Sequence, residues 1–434
     1  MNIILLSGGS GTRLWPLSND VRSKQFIKIF KKEDGSYESM VQRIYGQIRA
    51  VDPDASVTIA TSKSQVSAIH NQLGTEVGIS VEPCRRDTFA AIALATAYLH
   101  DIRGISEDEA VVVCPVDPYV ELSYFECVNE LYKAAQRGEK NLYLMGIEPS
   151  YPSEKYGYIR PEENGYTYTE KPAKEKAEEY IKHGALWNAG VFAYKLSYVL
   201  KKSRELLGTS DYATLFGDYE KLEKISFDYA VVETEPSIDV IRYAGEWLDL
   251  GTWNTLSGAM TEPIVGSGKV DDSCENVHII NELGIPVLGL GLKDMVISAS
   301  PQGILVSDRE ASSRIKPMVD AMDQQIMFAE KSWGKYRVLD VEEGSLTVKV
   351  VLNPDQMMNY HSHEHRDEVW TVIAGYGRTV VDGMEQPVKT GDVITMAAGC
   401  KHTVIAGPAG LQMIEVQLGD EISVSDKKKY EWTP

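Results

Sequence analysis

The first part of the chain alternates short apolar runs with amphipathic stretches. The runs have the length of β-strands and include NIILL, ASVTIAT, AVVVCP and NLYLMGI. Between them lie segments whose apolar positions recur at helical spacing, such as SYFECVNELYKAAQRG. Further on, AKEKAEEYIKHGA predicts a helix and LWNAGVFAY predicts a strand. This alternation is typical of an α/β fold with a largely parallel sheet covered by helices, in which ligands bind beyond the C-terminal ends of the strands.

The pattern changes after Trp253. Residues 264–312 carry short apolar runs separated by turn residues, which predicts a small β module. A helical pattern follows over RIKPMVDAMDQQIMFAEKS, and from Trp333 onwards β-type runs with glycine at the turns predict a separate all-β domain. We therefore predict an α/β domain over residues 1–262, a small β module with a connecting helix over 263–325, and an all-β domain over 326–434.

Composition narrows the possible partners and the compartment. The chain has 434 residues, enough for several hydrophobic cores, and a net charge of −19, which argues against nucleic-acid binding but permits a local basic pocket for a nucleotide. Its five cysteines show neither a disulfide framework nor a paired metal signature, which favours a reducing interior. No apolar run approaches the roughly 20 residues that span a bilayer, and the N-terminus has no basic region before a long apolar run. We expect a cytoplasmic protein without a nucleic-acid or membrane partner.

The loop that follows the first strand predicts phosphate binding. Gly8, Gly9 and Gly11 permit a tight turn and let backbone amides approach a polyphosphate closely. Arg13 and Lys24 supply positive charge beside that turn. The loop lacks the Lys-Ser/Thr pair of a Walker A loop and the third glycine of a dinucleotide fingerprint, so it predicts neither of those sites.

This loop begins a series of motifs that resembles the sugar nucleotidyltransferases and, within them, the mannose-1-phosphate guanylyltransferases. The resemblance implies a Rossmann-like nucleotidyltransferase domain with a mainly parallel sheet. The matching motifs, in chain order, are Trp15-Pro16-Leu17-Ser18 with Lys24-Gln25-Phe26, Glu82-Pro83 with Arg86-Asp87-Thr88, Pro115 with Asp117, Tyr156-Gly157-Tyr158-Ile159, Glu170-Lys171-Pro172, Trp187-Asn188-Ala189-Gly190-Val191-Phe192, Phe227-Asp228-Tyr229-Ala230, and Asp249-Leu250-Gly251-Thr252-Trp253.

The activity implied by this resemblance is the formation of GDP-mannose and pyrophosphate from GTP and mannose 1-phosphate. A sugar-phosphate oxygen attacks the α-phosphorus, so the protein must align two anions and neutralise their repulsion. Arg13 and Lys24 suit the triphosphate, and Lys171 suits the sugar phosphate. The other implied nucleotide contacts are Ser7, Gly8, Gly9, Gly11, Thr12, Arg86, Asp87 and Thr88. The implied sugar contacts are Gly157, Glu170 and Asn188.

Two aspartates are candidate magnesium ligands. Asp117 and Asp249 each follow a run that would end at the ligand-binding edge of the sheet, although alone Asp117 could start a turn and Asp249 could cap a helix near Thr252. The resemblance places the family's metal-binding aspartates at both positions, and Mg²⁺ suits oxygen ligands. Another sugar 1-phosphate or nucleotide stays open because of departures from the family pattern. These are Asp87 for asparagine, Ala90 for proline and Pro118 for histidine; Ser23 for proline and Val116 for alanine are further departures from the family motifs.

A second candidate metal site lies in the C-terminal domain. His361 and His363 alternate on a predicted strand and so share a face, Glu368 follows five residues later, and His402 ends the segment GDVITMAAGCKH. This spacing resembles the two cupin motifs and implies an all-β cupin barrel. Three imidazoles and a carboxylate would suit Zn²⁺ or Fe²⁺. His365 is expected to be a bystander.

The same domain resembles the mannose-6-phosphate isomerase module that is fused to some guanylyltransferases, beginning with Trp333-Gly334-Lys335-Tyr336. It departs from that module at His361, where glutamine is usual, at Thr403, where arginine is usual, and in a tail without arginine, DEISVSDKKKYEWTP. Arg366 keeps isomerase activity open beside a metal-stabilised, ligand-sensing or purely structural cupin. A non-catalytic sugar-phosphate sensor is the alternative outside the enzymes, and the intact set of charged candidates argues against it. The β module and the cupin both offer surfaces for a homodimer.

Overall fold

The computed structural model describes residues 1–8, 11–19, 21–163, 165–322 and 325–432. The chain divides into two compact units, of which the first comprises Met1–Ser10 and Ser23–Glu262 and the second comprises Gly11–Arg22 and Pro263–Pro434. Part of the phosphate loop therefore belongs to the second unit. The three-part division expected from the sequence stays a prediction. None of the described helices combines the length and the hydropathy that crossing a bilayer requires.

The first unit alternates strands and helices along the chain. Its strands are β1 Asn2–Ser7, β2 Lys28–Lys31, β3 Tyr37–Ser39, β4 Ser56–Ser62, β5 Gly78–Glu82, β6 Ala110–Pro115, β7 Pro118–Val120, β8 Leu142–Ile147, β9 Tyr158–Glu162, β10 Gly165–Thr169, β11 Leu186–Lys195, β12 Ile238–Tyr243 and β13 Trp247–Asp249. Its helices are α1 Met40–Val51, α2 Val66–Leu73, α3 Asp87–Ala97, α4 Leu122–Arg137, α5 Lys174–Lys182, α6 Leu196–Leu207, α7 Tyr212–Gly217, α8 Phe227–Ala230 and α9 Trp253–Gly258.

Nine of these strands form a mixed central sheet with the order β10-β9-β11-β6-β1-β4-β5, and β8 lies between β11 and β12, whereas β2 pairs with β3 and β7 with β13. The pairs β6-β1, β1-β4, β4-β5 and β8-β12 are parallel, whereas β11 is antiparallel to β6, β8 and β9. The predicted α/β fold is confirmed, and the predicted strands NIILL, ASVTIAT, AVVVCP and NLYLMGI form β1, β4, β6 and β8.

The helices of this unit follow the apolar patterns of their sequences. In α3 every residue from Phe89 to Ala97 is buried, as its uniformly apolar sequence requires. In α4 one face is buried, including Tyr124, Phe125 and Leu131, and Gly138 ends the helix in the left-handed conformation at φ +73°. Helix α3 packs on β1, β4 and β5, and α4 packs on β6, β8 and β11, so the two helices cover part of the sheet.

The second unit contains the small β module and the cupin. The strands are β14 Ile264–Gly266, β15 Gly268–Val270, β16 His278–Asn281, β17 Val287–Gly289, β18 Met295–Ser300, β19 Gly303–Asp308, β20 Phe328–Lys331, β21 Gly334–Glu342, β22 Ser345–Leu352, β23 His361–His363, β24 Asp367–Val381, β25 Met384–Lys389, β26 Val393–Met396, β27 His402–Leu418 and β28 Lys427–Lys429. The helix α10 spans Lys316–Asp320. In the module β14, β16 and β18 pair in parallel and β19 is antiparallel to β18. The cupin sheet has the order β20-β21-β22-β27-β23-β28, with β24 beside β27.

The predicted connecting helix is shorter in the structure than in the sequence analysis. Among the described residues of that segment the α-helix spans only α10, where proline occupies the first turn, a position that suits its missing N–H. Residues 323 and 324 of the predicted helix lie outside the described residues. Phe328–Lys331, which the sequence pattern assigned to the helix, forms β20 and pairs antiparallel with β21. Cross-strand hydrogen bonding therefore overrides the local helical period there.

The segment Gly11–Arg22 is held by the β module of its own unit. Ser300 Oγ donates to Pro16 O at 2.6 Å, and the Arg22 guanidinium makes two 2.8 Å bonds to the Glu282 carboxylate. Gly303, at φ +153°, lies so close to the Trp15 ring that a β-carbon would be 2.5 Å from Trp15 Cζ2. These contacts explain why a segment that follows β1 in sequence belongs to the second unit.

Candidate active site

The two candidate magnesium ligands converge on a lysine. Strand β13 pairs antiparallel with β7 so that Asp249 lies opposite Pro118, which brings Asp249 beside Asp117. Lys24 Nζ lies 3.0 Å from Asp117 Oδ2 and 3.7 Å from Asp249 Oδ1. Both carboxylates stay open to solvent, with exposed side-chain fractions of 42% and 45%. Three charged residues from separate sequence motifs thus meet at one point.

Asp249 does not cap the helix near Thr252, whereas Asp117 lies in the short connection between β6 and β7, so its role in a turn stays a prediction. Thr252, not Asp249, caps α9, because its hydroxyl accepts from Thr255 N and the Thr255 hydroxyl accepts from Thr252 N. Asp117 leads into β7. The ammonium between the two carboxylates shows that positive charge is favourable at this point, so the pair fits a divalent cation with oxygen ligands.

A buried polar network lies behind Lys24. Gln65 Oε1 accepts hydrogen bonds from Ser7 Oγ at 3.1 Å, Thr61 Oγ1 at 2.9 Å and Gln25 Nε2 at 3.3 Å. Gln65 Nε2 donates to Ser23 Oγ at 2.8 Å, and Gln25 Nε2 also donates to Ser7 Oγ. The Ser7 hydroxyl, a predicted nucleotide contact, is therefore used internally to hold the residue next to Lys24. Sequence reasoning missed Gln65, which no motif marked.

The other predicted loop residues differ in what the structure shows of them. Gly8 is exposed, and a β-carbon there would meet no described atom within 4 Å. Gly9 lies outside the described residues. Gly11, Thr12 and Arg13 form a 3-10 turn of the second unit, in which Arg13 is exposed. Within the described chain the buried Thr12 hydroxyl has no hydrogen-bond partner.

The three predicted sugar contacts meet in one cluster. Asn188 N donates to Gly157 O at 2.9 Å, and a β-carbon on Gly157 would collide with Tyr168 Oη and lie 2.6 Å from Glu170 Oε2. Glu170 Oε1 lies 2.6 Å from Lys171 Nζ, which raises the pKa of Lys171. The Glu170 side chain is only 7% exposed whereas that of Lys171 is 51% exposed, so the lysine is the member that can reach a ligand.

Tyr168 and Asp228 complete this cluster. Asn188 Nδ2 donates to Asp228 Oδ1 at 2.9 Å, Tyr168 Oη lies 2.9 Å from the same oxygen, and Tyr168 Oη also bonds Glu170 Oε2. Burial and the negative charge of Glu170 raise the pKa of Asp228 to about 6. Sequence analysis assigned neither residue a role, although Asp228 belongs to a quoted motif.

The segment Arg86-Asp87-Thr88 is bound to its own unit. Asp87, at φ +67°, starts α3 and accepts from Thr88 N at 2.8 Å through Oδ1. Thr88 Oγ1 accepts from Phe227 N at 2.8 Å, and Arg86 Nη2 donates to Glu220 O. The left-handed conformation suits aspartate as well as asparagine, which accounts for Asp87 locally. Their predicted contacts with a nucleotide stay predictions.

The four predicted cupin ligands form a buried cluster. His361, His363, Glu368 and His402 each offer a ligand atom, and these atoms lie within 4.8 Å of one another. The pairing of β23 with β27 sets His361 opposite His402. Glu368 Oε1 lies 3.1 Å from His363 Nε2, and Glu368 Oε2 lies 3.3 Å from His402 Nε2. The cluster could hold a metal ion.

Backbone carbonyls fix the orientation of the three imidazoles. The Nδ1 atoms of His361, His363 and His402 lie 2.6, 3.1 and 3.0 Å from the carbonyl oxygens of Asn359, Asp426 and Cys400 respectively. A proton on each Nδ1 leaves each Nε2 as a lone-pair donor into the cluster, the arrangement in which histidine binds transition metals. Burial and the Lys427 charge lower the pKa of His361 to about 2, which keeps it neutral.

Two cations that flank this cluster complete the cupin chamber. Arg366 Nε donates to Glu368 Oε1 at 3.2 Å, and Lys427 on β28 lies opposite His363 in the strand register. Burial lowers the pKa of Lys427 to about 8. The tail that lacks arginine thus brings a lysine to the chamber, which sequence analysis missed. His365 lies outside the cluster and pairs with Asp426 at 2.9 Å.

Two family models match this chain. Residues 2–263 match the family model described as nucleotidyl transferase. The chain belongs to the nucleotidyl transferase family. Residues 320–431 match the model described as mannose-6-phosphate isomerase C-terminal.

Named relatives of this nucleotidyl transferase match it over nearly its full length. The chain is 29% identical to mannose-1-phosphate guanylyltransferase ManC of Salmonella typhimurium, over 99% of this chain and 97% of that protein. It is 28% identical to mannose-1-phosphate guanylyltransferase of Escherichia coli K12, over 98% of this chain and 97% of that protein. The crystal structure of mannose-1-phosphate geranyltransferase from Thermus thermophilus covers 74% of this chain and 98% of its own, with 27% identity and a TM-score of 0.62.

Proposed function

We propose that this nucleotidyl transferase forms GDP-mannose and pyrophosphate from GTP and mannose 1-phosphate. The observation that carries the chemistry is the convergence of Lys24, Asp117 and Asp249 at one point in the first unit. The full-length similarity to mannose-1-phosphate guanylyltransferases supports the choice of sugar and base.

The reaction needs positioned charge and no protein nucleophile, since the attacking phosphate oxygen is already ionised near neutral pH. Asp117 and Asp249 would hold Mg²⁺, which when bound neutralises charge on the reacting phosphates. Lys24 and Arg13 would bind the triphosphate, with the amides of the glycine-rich loop. Lys171 would bind the sugar phosphate, because its exposed ammonium is directed by the buried Glu170.

The experiment that tests this function is pyrophosphate release from the full chain with Mg²⁺. GTP, ATP, CTP and UTP are each paired with mannose 1-phosphate and with glucose 1-phosphate. We expect release only with GTP and mannose 1-phosphate. Release with another pair would keep the reaction and change the specificity, and no release with any pair would overturn the proposal.

We also propose that His361, His363, Glu368 and His402 hold Zn²⁺ or Fe²⁺, because three inward Nε2 atoms and one carboxylate suit such an ion. The His363→Ala variant should lose most of the bound metal, and His365→Ala is the matched control because that exposed histidine lies two residues away and outside the cluster. Metal content by elemental analysis of the purified chains checks this. Equal metal in both variants would exclude the site.

Conversion of mannose 6-phosphate into fructose 6-phosphate by the same samples would support the bifunctional alternative.

A further inference from the structure

The cluster behind the proposed sugar contacts has more acceptor oxygens than hydrogens to satisfy them. Tyr168 Oη is bonded to two carboxylates, at Glu170 Oε2 and, 2.9 Å away, at Asp228 Oδ1. A phenol carries one hydrogen. Asn188 Nδ2 can donate to Asp228 Oδ1 and to Tyr168 Oη, but it cannot fill either tyrosine–carboxylate contact. With both carboxylates ionised, one of these two contacts therefore has no hydrogen.

One additional proton gives every contact a hydrogen. We propose that Asp228 carries this proton and is a positioning residue for the sugar-phosphate contacts, a role that rests on the proposed function. Asp228 then donates to Tyr168, Tyr168 donates to Glu170 Oε2, and Glu170 Oε1 pairs with Lys171 Nζ at 2.6 Å. The chain of hydrogen bonds links the half-buried carboxyl of Asp228 to the lysine that would bind the sugar phosphate.

The surroundings of Asp228 favour the protonated form. The charged groups that face it are Glu170 and Lys171, and the neutral groups are Tyr168 and Asn188. Tyr168 and Asn188 are buried, so little water screens the repulsion between the two carboxylates. Glu170 is further fixed by its backbone N–H, which donates to Glu233 Oε1 at 3.0 Å. Ionisation of Asp228 would place a second negative charge against Glu170 and loosen the group that orients Lys171.

The proton can be detected without any activity. A carboxyl group whose pKa is about 6 in the folded chain, above its unfolded value of 3.8, destabilises the fold as pH rises between those values. Asp228→Asn keeps the shape of the protonated carboxyl and does not titrate. Its melting temperature relative to wild type should therefore increase from about pH 4 to about pH 6 and then level off. Asp108→Asn, at an exposed carboxylate, is the control and should show a flat difference. A flat difference for Asp228→Asn would overturn the proposal.

The positioning role is tested by the KM for mannose 1-phosphate between about pH 5.5 and about pH 8. The phosphate of the substrate titrates in the same way in the assays of wild type and Asp228→Asn. Its effect on KM therefore cancels in the ratio of the wild-type KM to the Asp228→Asn KM. We expect this ratio to rise several-fold with pH while the ratio of kcat values changes little. A constant KM ratio would refute the positioning role. If wild type releases no pyrophosphate at any pH, the proposed function fails and the unfolding experiment still tests the proton.

Discussion

Asp249→Asn is expected to lower kcat for GDP-mannose formation by roughly a hundredfold or more, the scale seen when one electrostatic contact to a reacting group is removed. The substitution keeps the size of the side chain and removes one of the two negative charges that converge on Lys24. A neutral amide is a weaker ligand for Mg²⁺, so the metal requirement should also shift to higher concentration. Pyrophosphate release measured across a magnesium titration gives both quantities.

Asp108→Asn provides the matched control for this loss. Asp108 is an exposed carboxylate of the same unit, in the turn before β6, and its variant should keep wild-type turnover. Near-wild-type turnover of Asp249→Asn at saturating Mg²⁺ would show that this carboxylate does not hold the metal.

Lys24→Met is expected to lower turnover and to raise the affinity for the metal ion. Turnover should fall by roughly a hundredfold, because a positive charge that suits the triphosphate is lost. Metal affinity should rise, because the ammonium now lies 3.0 Å from Asp117 Oδ2 and must leave before a metal ion can take its place between the carboxylates. Partly exposed ion pairs contribute roughly 0.2–1 kcal/mol, so the gain in affinity should be at most a few-fold. Binding of Mn²⁺ to the nucleotide-free chain, followed by electron paramagnetic resonance, measures it directly.

Lys28→Met controls for the loss of a lysine in the same segment, since Lys28 is exposed at the start of β2. Lys28→Met should leave turnover and the affinity for Mn²⁺ at wild-type values. If Lys24→Met binds Mn²⁺ more weakly than wild type, Lys24 supports the metal site and does not compete for it.

Much of the fold follows from local patterns. The apolar runs and amphipathic stretches predicted β1, β4, β6, β8, α4, α5 and β11, because the period of the apolar positions is a local property. The same reasoning failed for Phe328–Lys331, where pairing with β21 is decided by a strand that follows it in the chain. It also could not assign Gly11–Arg22 to the second unit. The hydrogen bonds that hold this segment join Pro16 to Ser300 and Arg22 to Glu282, which lie more than two hundred positions away.

The candidate site shows the same division. The charged residues and their motifs were visible in the sequence, and the cupin ligand spacing marked all four members of its cluster. Gln65, Tyr168 and Lys427 were not visible, because a polar residue gains its role from the partners that the fold places around it. The Ser7 hydroxyl is used inside the protein, and the predicted contact of Ser7 with a nucleotide stays a prediction.

By itself, the sequence determined the nucleotidyltransferase class, and it predicted a phosphate-binding glycine-rich loop, lysines and aspartates for phosphate and metal, and an alternating histidine pair for a second metal. Only the tertiary structure decided which of these groups meet. The pairing of β13 with β7 sets Asp249 beside Asp117. The packing around Tyr168 brings the carboxylates of Glu170 and Asp228 within hydrogen-bond distance of a single hydroxyl. The physical reason is that side-chain chemistry is carried by each residue, whereas proximity, burial and the resulting proton affinities arise from strand register and packing between distant parts of the chain.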